Sequence, residues 1–209
     1  MGINEQVREK LANLCKAVYD KNMVSGSGGN ISIKVGDTVY ITPSGYSLGN
    51  IKPEDIVEVT LDGDVKGTIR PSKELFLHME SYKSRPDVSA VVHVHSYYSI
   101  LVGILAKEND LGSPMPPYTP GYAMRVGSMA LIPFFVPGSS ELAQSISQKI
   151  KESNVVLMKN HGMVVVGKEL QEAFNIAEEV EENAKMHIML KGQGALSEQQ
   201  VKAILEKYK

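Results

Sequence analysis

Three runs rich in β-branched residues, at 31–35, 39–42 and 56–61, follow one another with no helical pattern between them. Gly36-Asp37 joins the first two like a hairpin, and Asp62-Gly63-Asp64 after the third is a second hairpin signal. Parallel neighbours need a crossover of about a dozen residues or more, usually a helix. These runs therefore favour an antiparallel or mixed sheet over a pure βαβ series. Further apolar runs lie at 90–94, 131–136, 155–159 and 164–166. Pro133 marks the second of these as an edge strand.

Helical periodicity fills the remainder. Val7, Leu11, Leu14, Val18 and Tyr19 share one face, and the pattern stops before Ser25-Gly26-Ser27-Gly28-Gly29. Ser72 is placed to cap a helix over 73–84, with Leu75, Met79 and Tyr82 on one side. A helix over 97–107 follows, then a Pro- and Gly-rich stretch at 109–122 that has no period and reads as a long loop. Ser139 or Ser140 can cap a helix running to 151, and helices over 169–190 and 198–208 end the chain. At 209 residues, the expectation is one α/β domain spanning 1–209, with a core that needs no disulfide. The single cysteine, Cys15, lies on the apolar face of the first helix and reads as a small buried hydrophobe. A net charge of −2 leaves no electrostatic footprint for nucleic acid. No segment approaches 18 continuous apolar residues and the first residues are polar, so no membrane partner and a cytoplasmic location are expected.

Chemistry concentrates around the apolar run Ala90-Val-Val-His93-Val-His95-Ser96. On a strand, side chains two apart share a face, so His93 and His95 point the same way and form half of a metal site. His161, between Asn160 and Gly162 at the end of another apolar strand, is the natural third nitrogen ligand. Glu74, at a helix start just upstream of the histidine strand, is the best carboxylate. Any one of these histidines alone would read as structural, but each buried imidazole needs a partner, and three converging strand positions favour a cation. His78, one helical turn after Glu74, fits a supporting role. His187, on the long polar helix, reads as a surface residue.

A second constellation could hold an anion. In Gly28-Gly29-Asn30-Ile31-Ser32, glycines before a strand let backbone N–H groups converge. The run is neither a P-loop nor a dinucleotide fingerprint, since no Gly-Lys-Ser/Thr follows and no helix opens there. Thr42-Pro43-Ser44-Gly45 and Pro71-Ser72-Lys73 add hydroxyls, amides and one ammonium. A bound anion would offset the unfavourable position of Lys73 at a helix start. Together the three elements suit a phosphate monoester.

The ordered set Gly28-Gly29-Asn30-Ile31-Ser32, Thr42-Pro43-Ser44-Gly45, Pro71-Ser72-Lys73-Glu74, His93-Val94-His95 and Asn160-His161-Gly162 resembles the class II aldolase/adducin family over essentially the whole chain. That resemblance implies a three-layer αβα fold around a central, largely antiparallel mixed sheet, and a homotetramer with active sites at subunit interfaces. It implies zinc, or another divalent metal, held by Glu74, His93, His95 and His161. Gly29, Asn30, Thr42, Ser44, Gly45 and Ser72 are implied as the phosphate cradle. Glu74 would also act as general base, and a tyrosine would move a second proton, with Tyr118 the first choice and Tyr122 the second. The substrate implied is a phosphorylated sugar or sugar acid.

Within the family, Glu74 favours an aldolase or decarboxylase over the epimerase, which has Asp in that place. The intact histidines argue against a non-catalytic, adducin-like assembly module. Cleavage of a ketose phosphate to dihydroxyacetone phosphate and an aldehyde through a metal-stabilised enediolate, the L-fuculose-1-phosphate aldolase type of reaction, stands first. Decarboxylation of a 3-oxo-tetronate 4-phosphate by the same chemistry is the alternative. For the alternative speak Lys73, where the aldolases carry a second serine, and the stretch from Pro116 through Gly127. Lys73 or Arg125 would then recognise the substrate carboxylate.

Overall fold

The computed structural model describes residues 2–107 and 113–208. Eight strands form one sheet: β1 (Asn30–Val35), β2 (Thr38–Ile41), β3 (Val57–Thr60), β4 (Val65–Lys66), β5 (Ala90–Val94), β6 (Met129–Ile132), β7 (Val155–Met158) and β8 (Gly162–Gly167). Their order across it is β4-β3-β2-β1-β5-β8-β7-β6. Every neighbouring pair is antiparallel except β6 and β7. The early hairpins form as the turn signals require, and the strands of the single parallel pair, β6 and β7, are joined through a helix over 140–149.

The helices are α1 (Ile3–Asp20), α2 (Leu75–Ser84), α3 (Tyr97–Leu105), α4 (Pro120–Arg125), α5 (Ser140–Lys149), α6 (Leu170–Met189) and α7 (Glu198–Lys207). They lie on both faces of the sheet. Alternation along β5 shows how the two faces are filled. Ala90, Val92 and Val94 join the core made with α1 and α6, whereas Val91 joins the core made with α2 and α5. Both faces of β5 are covered, so all five of its residues are buried. Burying some fifty apolar side chains this way, at roughly 1.5–3 kcal/mol each, is what offsets the conformational entropy of ordering the chain. Cys15 is fully buried in α1, and burial pushes its thiol pKa upward, as expected of an inert core residue. Among the described residues, no helix is long and apolar enough to cross a membrane.

Several boundaries differ from expectation, each for a local reason. α2 starts at Leu75, not at residue 73, and Glu74 takes the capping position. The backbone N–H of Ser72 is committed to Thr42 O at 3.1 Å, and Pro71 bridges to Pro43. Residues 71 and 72 are thereby held against the end of β2, and a turn follows in which Ser72 Oγ accepts from Glu74 N at 3.2 Å and Leu75 N donates to Ser72 O at 3.1 Å. In the stretch read as a loop, residues 109–112 lie outside the described residues, and its end forms α4. Thr119 caps that helix, accepting from Tyr122 N at 3.1 Å, and Pro120 occupies its first turn. Six residues are too few to show a period. β6 is an edge strand, as expected, but Pro133 ends it instead of interrupting it. Of the two serines, Ser139 caps α5, accepting from Leu142 N at 3.2 Å.

Candidate metal centre

Glu74, His93, His95 and His161 come together although they span 88 positions of the chain, and one donor atom from each lies within 4.8 Å of all the others. Three elements bring them there. His93 is the fourth residue of β5, paired with Asn30 on one side and Val164 on the other. His95 follows one residue past the end of that strand. His161 ends the tight connection between β7 and β8, in which Asn160 adopts φ 59°, a left-handed conformation that Asn tolerates. Gly162 allows β8 to press against β5, since a Cβ there would lie 2.3 Å from Val94 O. Glu74 caps α2 on the opposite side of the cluster.

The donors are aimed as well as close. Nδ1 of His93 donates to Met163 O at 2.9 Å, which leaves the Nε2 lone pair facing the cluster. From His93 Nε2, the Nε2 of His95 is 2.9 Å away and Glu74 Oε2 is 3.1 Å away. His161 Nε2 lies 3.5 Å from Glu74 Oε1. Ligands about 2.0–2.1 Å from a tetrahedral ion stand roughly 3.4 Å apart, so these spacings suit one small divalent cation. Oε1 of Glu74 is buried and has no hydrogen-bond partner among the described residues. Such an orphan oxygen is costly unless a cation answers it. The donor set therefore fits the metal.

Electrostatics agree with this. Burial pushes His95 down to about 3 and His161 down to about 4, and neighbouring imidazoles add to the effect in both. Both rings are thus neutral ligands at ordinary pH. Burial works against the charged form of Glu74, but His93, the Asn30 amide and His161 outweigh it and hold the carboxyl well below the usual carboxylate range.

Glu74, His95 and His161 open onto a cavity of about 290 Å³ whose other walls include Ser27, Gly28, Gly29, Asn30, Ser44, Gly45, Ser72, Lys73 and Pro137. Gly29 and Gly45 have φ of 76° and 81°, conformations that favour glycine. A side chain on Gly29 would also meet Val24 and His93 O at under 3 Å. Metal ligands and the expected anion cradle therefore share one space.

The family described as Class II Aldolase and Adducin N-terminal domain matches residues 9–188. The chain belongs to this family. It is 37% identical over 188 residues to the 3-oxo-tetronate 4-phosphate decarboxylase of Haemophilus influenzae, with 89% of each protein covered. It is 39% identical over 178 residues to the L-fuculose phosphate aldolase of Methanococcus maripaludis, covering 85% of this chain and 93% of that one. The crystal structure of YgbL from Escherichia coli superposes with a TM-score of 0.91 at 30% identity, covering 98% of this chain and all of that one.

Not every residue carried over from the class II aldolase and adducin pattern reaches the cavity. Thr42 is buried, and its hydroxyl accepts from Ile31 N at 3.2 Å, so it braces β1 against β2 and does not line the cradle. Asn30 lines the cavity but is turned to Glu74, donating from Nδ2 to Oε2 at 2.8 Å. Tyr118 lies against α6. Its N–H donates to Asn183 Oδ1 at 2.8 Å and its hydroxyl lies 3.1 Å from His187 Nδ1. His187 is accordingly a half-buried partner of Tyr118 and not a free surface residue. Tyr122 is buried, with a hydroxyl that has no partner among the described residues. One chain thus does not bring either tyrosine to the metal ligands. Arg125 Nε faces Glu179 on α6 at 3.6 Å, away from the cavity. Ser27, Gly28 and Pro137 line the cavity beside the residues implied as the cradle. The first two belong to the glycine-rich run, but nothing in the sequence near Pro137 signals a cavity wall.

Proposed function

We propose that the chain is a divalent-metal-dependent carbon–carbon lyase acting on a phosphorylated sugar acid, and that its reaction is decarboxylation of a 3-oxo-tetronate 4-phosphate. The observation carrying this reading is the position of Lys73, which lines the same cavity as Glu74, His95 and His161. An ammonium beside the metal ligands supplies what a substrate carboxylate needs, in addition to a cradle for phosphate. The sequence alone puts aldol cleavage first; the place of Lys73 at the cavity wall reverses that order, and Arg125, turned to Glu179, leaves Lys73 as the one of the two candidates that can meet the carboxylate. Aldol cleavage remains the second reading, supported by the 39% identity to a relative named L-fuculose phosphate aldolase.

The reading gives the chain's own residues the following roles. Gly29, Gly45, Ser44 and Ser72 receive the phosphate, Lys73 pairs with the carboxylate, and together they fix the substrate between two anchors. A divalent cation, zinc by the donor set, held by Glu74, His93, His95 and His161 supplies Lewis-acid stabilisation of negative charge developing on the substrate's carbonyl and hydroxyl oxygens. The carboxyl carbon leaves as CO₂ when its bond to C2 breaks, and the electron pair is delocalised toward the C3 carbonyl. Protonation of C2 then yields dihydroxyacetone phosphate. That proton comes from solvent, and Glu74, ionised in the resting site and with an Oε1 that has no hydrogen-bond partner among the described residues, would accept it and relay it to C2. For the aldol reading the same oxygen takes a hydroxyl proton as general base.

Both reactions leave the same ketone phosphate, so the second product decides. The zinc-loaded protein is given 3-oxo-tetronate 4-phosphate or L-fuculose 1-phosphate, and CO₂ and aldehyde are measured. CO₂ equal to dihydroxyacetone phosphate is expected. Aldehyde without CO₂ would establish the aldolase. Turnover of neither, with His93→Ala matching the unaltered protein in metal content, would leave the assembly module.

The reading includes a homotetramer in which Tyr118 of a neighbouring subunit reaches the cavity. Supporting it, Phe76, Tyr97, Phe134 and Val136, from segments that carry or adjoin the site residues, are exposed. Light scattering should give about four times the 22.8 kDa chain mass. A monomer at micromolar concentration would exclude it.

A further inference from the structure

A chain of buried polar side chains leads from the hydrophobic interior to Glu74. The Tyr82 hydroxyl lies 2.7 Å from Ser32 Oγ, and Ser32 Oγ lies 2.7 Å from His78 Nδ1. His78 Nε2 is 2.6 Å from Asn30 Oδ1, and Asn30 Nδ2 donates to Glu74 Oε2 at 2.8 Å. Ser32, His78, Tyr82 and Asn30 are all nearly or wholly buried, so water does not compete for these bonds. None of the four is a metal ligand.

The proton inventory permits one arrangement around an ionised Glu74. A carboxylate only accepts, so Asn30 must present its NH₂ to Oε2 and its carbonyl oxygen to His78. His78 must then carry its hydrogen on Nε2. Burial lowers its pKa to about 3, so it is neutral and has no second hydrogen. Nδ1 is therefore an acceptor and takes the Ser32 hydrogen, which obliges Tyr82 to donate to Ser32. Every donor in the series points toward the carboxylate. An Asn amide can turn over by 180°, and with its oxygen toward Oε2 two acceptors would meet at hydrogen-bond distance. Glu74 opposes the flip from one side of the amide, and the Nε2–H of His78 opposes it from the other.

We propose that His78 is a positioning residue for Glu74. By holding the Asn30 amide in one orientation, it ties down Oε2 and leaves Oε1 aimed at the histidine cluster. This rests on the reading that Glu74 and the three histidines bind a cation, and it extends that reading to residues with no contact to the site's cavity. Tyr82 and Ser32 act through His78 by fixing its tautomer.

The test is zinc affinity, measured on the metal-free protein by competition with a chromogenic chelator. His78→Leu is expected to weaken zinc binding about 10- to 100-fold, the usual effect of losing an outer partner of a metal ligand. His78→Gln retains a donor toward Asn30 and should stay within about threefold of the unaltered protein on the same scale. Equal affinity in His78→Leu, or an equal loss in both variants, would overturn the proposal. Should His78→Leu fail to fold, Ser32→Ala decides. It removes the hydrogen that fixes the tautomer and should weaken zinc binding about three- to tenfold; unchanged affinity would overturn the idea. Nitrogen-15 spectra of the metal-free protein give an independent readout. His78 should be the Nε2–H tautomer, and an Nδ1–H signal would overturn the assignment. An unaltered protein that binds no zinc would instead overturn the metal-centre reading.

Discussion

Lys73 and Glu74 are adjacent in the chain but meet opposite requirements. Glu74 is buried and loses most of its hydration, so partners must hold its charge. Lys73 is exposed at the cavity wall, so its charge stays hydrated until a ligand arrives. In the decarboxylation proposed above, its interaction would be made with the substrate's carboxylate before the bond breaks, and that charge departs as neutral CO₂. Lys73→Ala should therefore raise KM by about 10-fold or more, equivalent to roughly 1.4 kcal/mol, and lower kcat far less. Steady-state kinetics with the 3-oxo acid phosphate measures this, and a loss confined to kcat would refute the assignment. Residue chemistry of this sort was readable from sequence where motif and neighbours are local, as in His93-Val94-His95. The orientation of Asn30 was not, because its two side-chain partners lie 44 and 48 residues away. Thr42 is a different case: its hydroxyl accepts from Ile31 N, its neighbour across the β1–β2 hairpin, a use that a Thr-Pro-Ser-Gly turn does not announce.

At the scale of elements, the site depends on how closely two strands approach. The β7–β8 connection delivers His161 only because Gly162 lets β8 lie against the end of β5. Its φ is 155°, and an added Cβ would meet Val94 O at 2.3 Å and His95 Cα at 3.2 Å. These are backbone contacts, or nearly so, and cannot yield as the end of a flexible side chain can. Gly162→Ala should cost about 2 kcal/mol or more in urea unfolding and weaken zinc binding together with it, since relief moves His161 or His95. A variant within about 0.5 kcal/mol of the unaltered protein would show that the strands have slack that the geometry denies. Strand order in the first half was legible because Gly36-Asp37 and Asp62-Gly63-Asp64 leave only hairpins. The start of α2 was not. Ser72 does act near the helix start, its Oγ accepting from Glu74 N at 3.2 Å, but residues 73 and 74 form a turn ahead of the helix, which the residue types do not signal.

For the whole molecule, gathering the ligands and His78 in one buried region makes stability depend on pH. In the unfolded chain histidines titrate near 6.5, whereas in the folded chain His78 and His95 are held to about 3 and His161 to about 4. Between pH 6.5 and about 4 the unfolded chain takes up protons that the folded one refuses. Stability is full above pH 6.5 and falls as the pH drops through this window. Each proton of difference contributes a slope of about 1.4 kcal/mol per pH unit. Below the ordinary Glu range, the depressed pKa of Glu74 acts in the same direction. Metal-free protein should therefore show a urea midpoint that declines steadily from pH 7 to pH 4. Saturating zinc should raise the midpoint most at the upper end, because the cation binds only the folded chain and needs neutral imidazoles. A midpoint that is flat across this range, with and without zinc, would mean that these histidines are not held neutral together around one site.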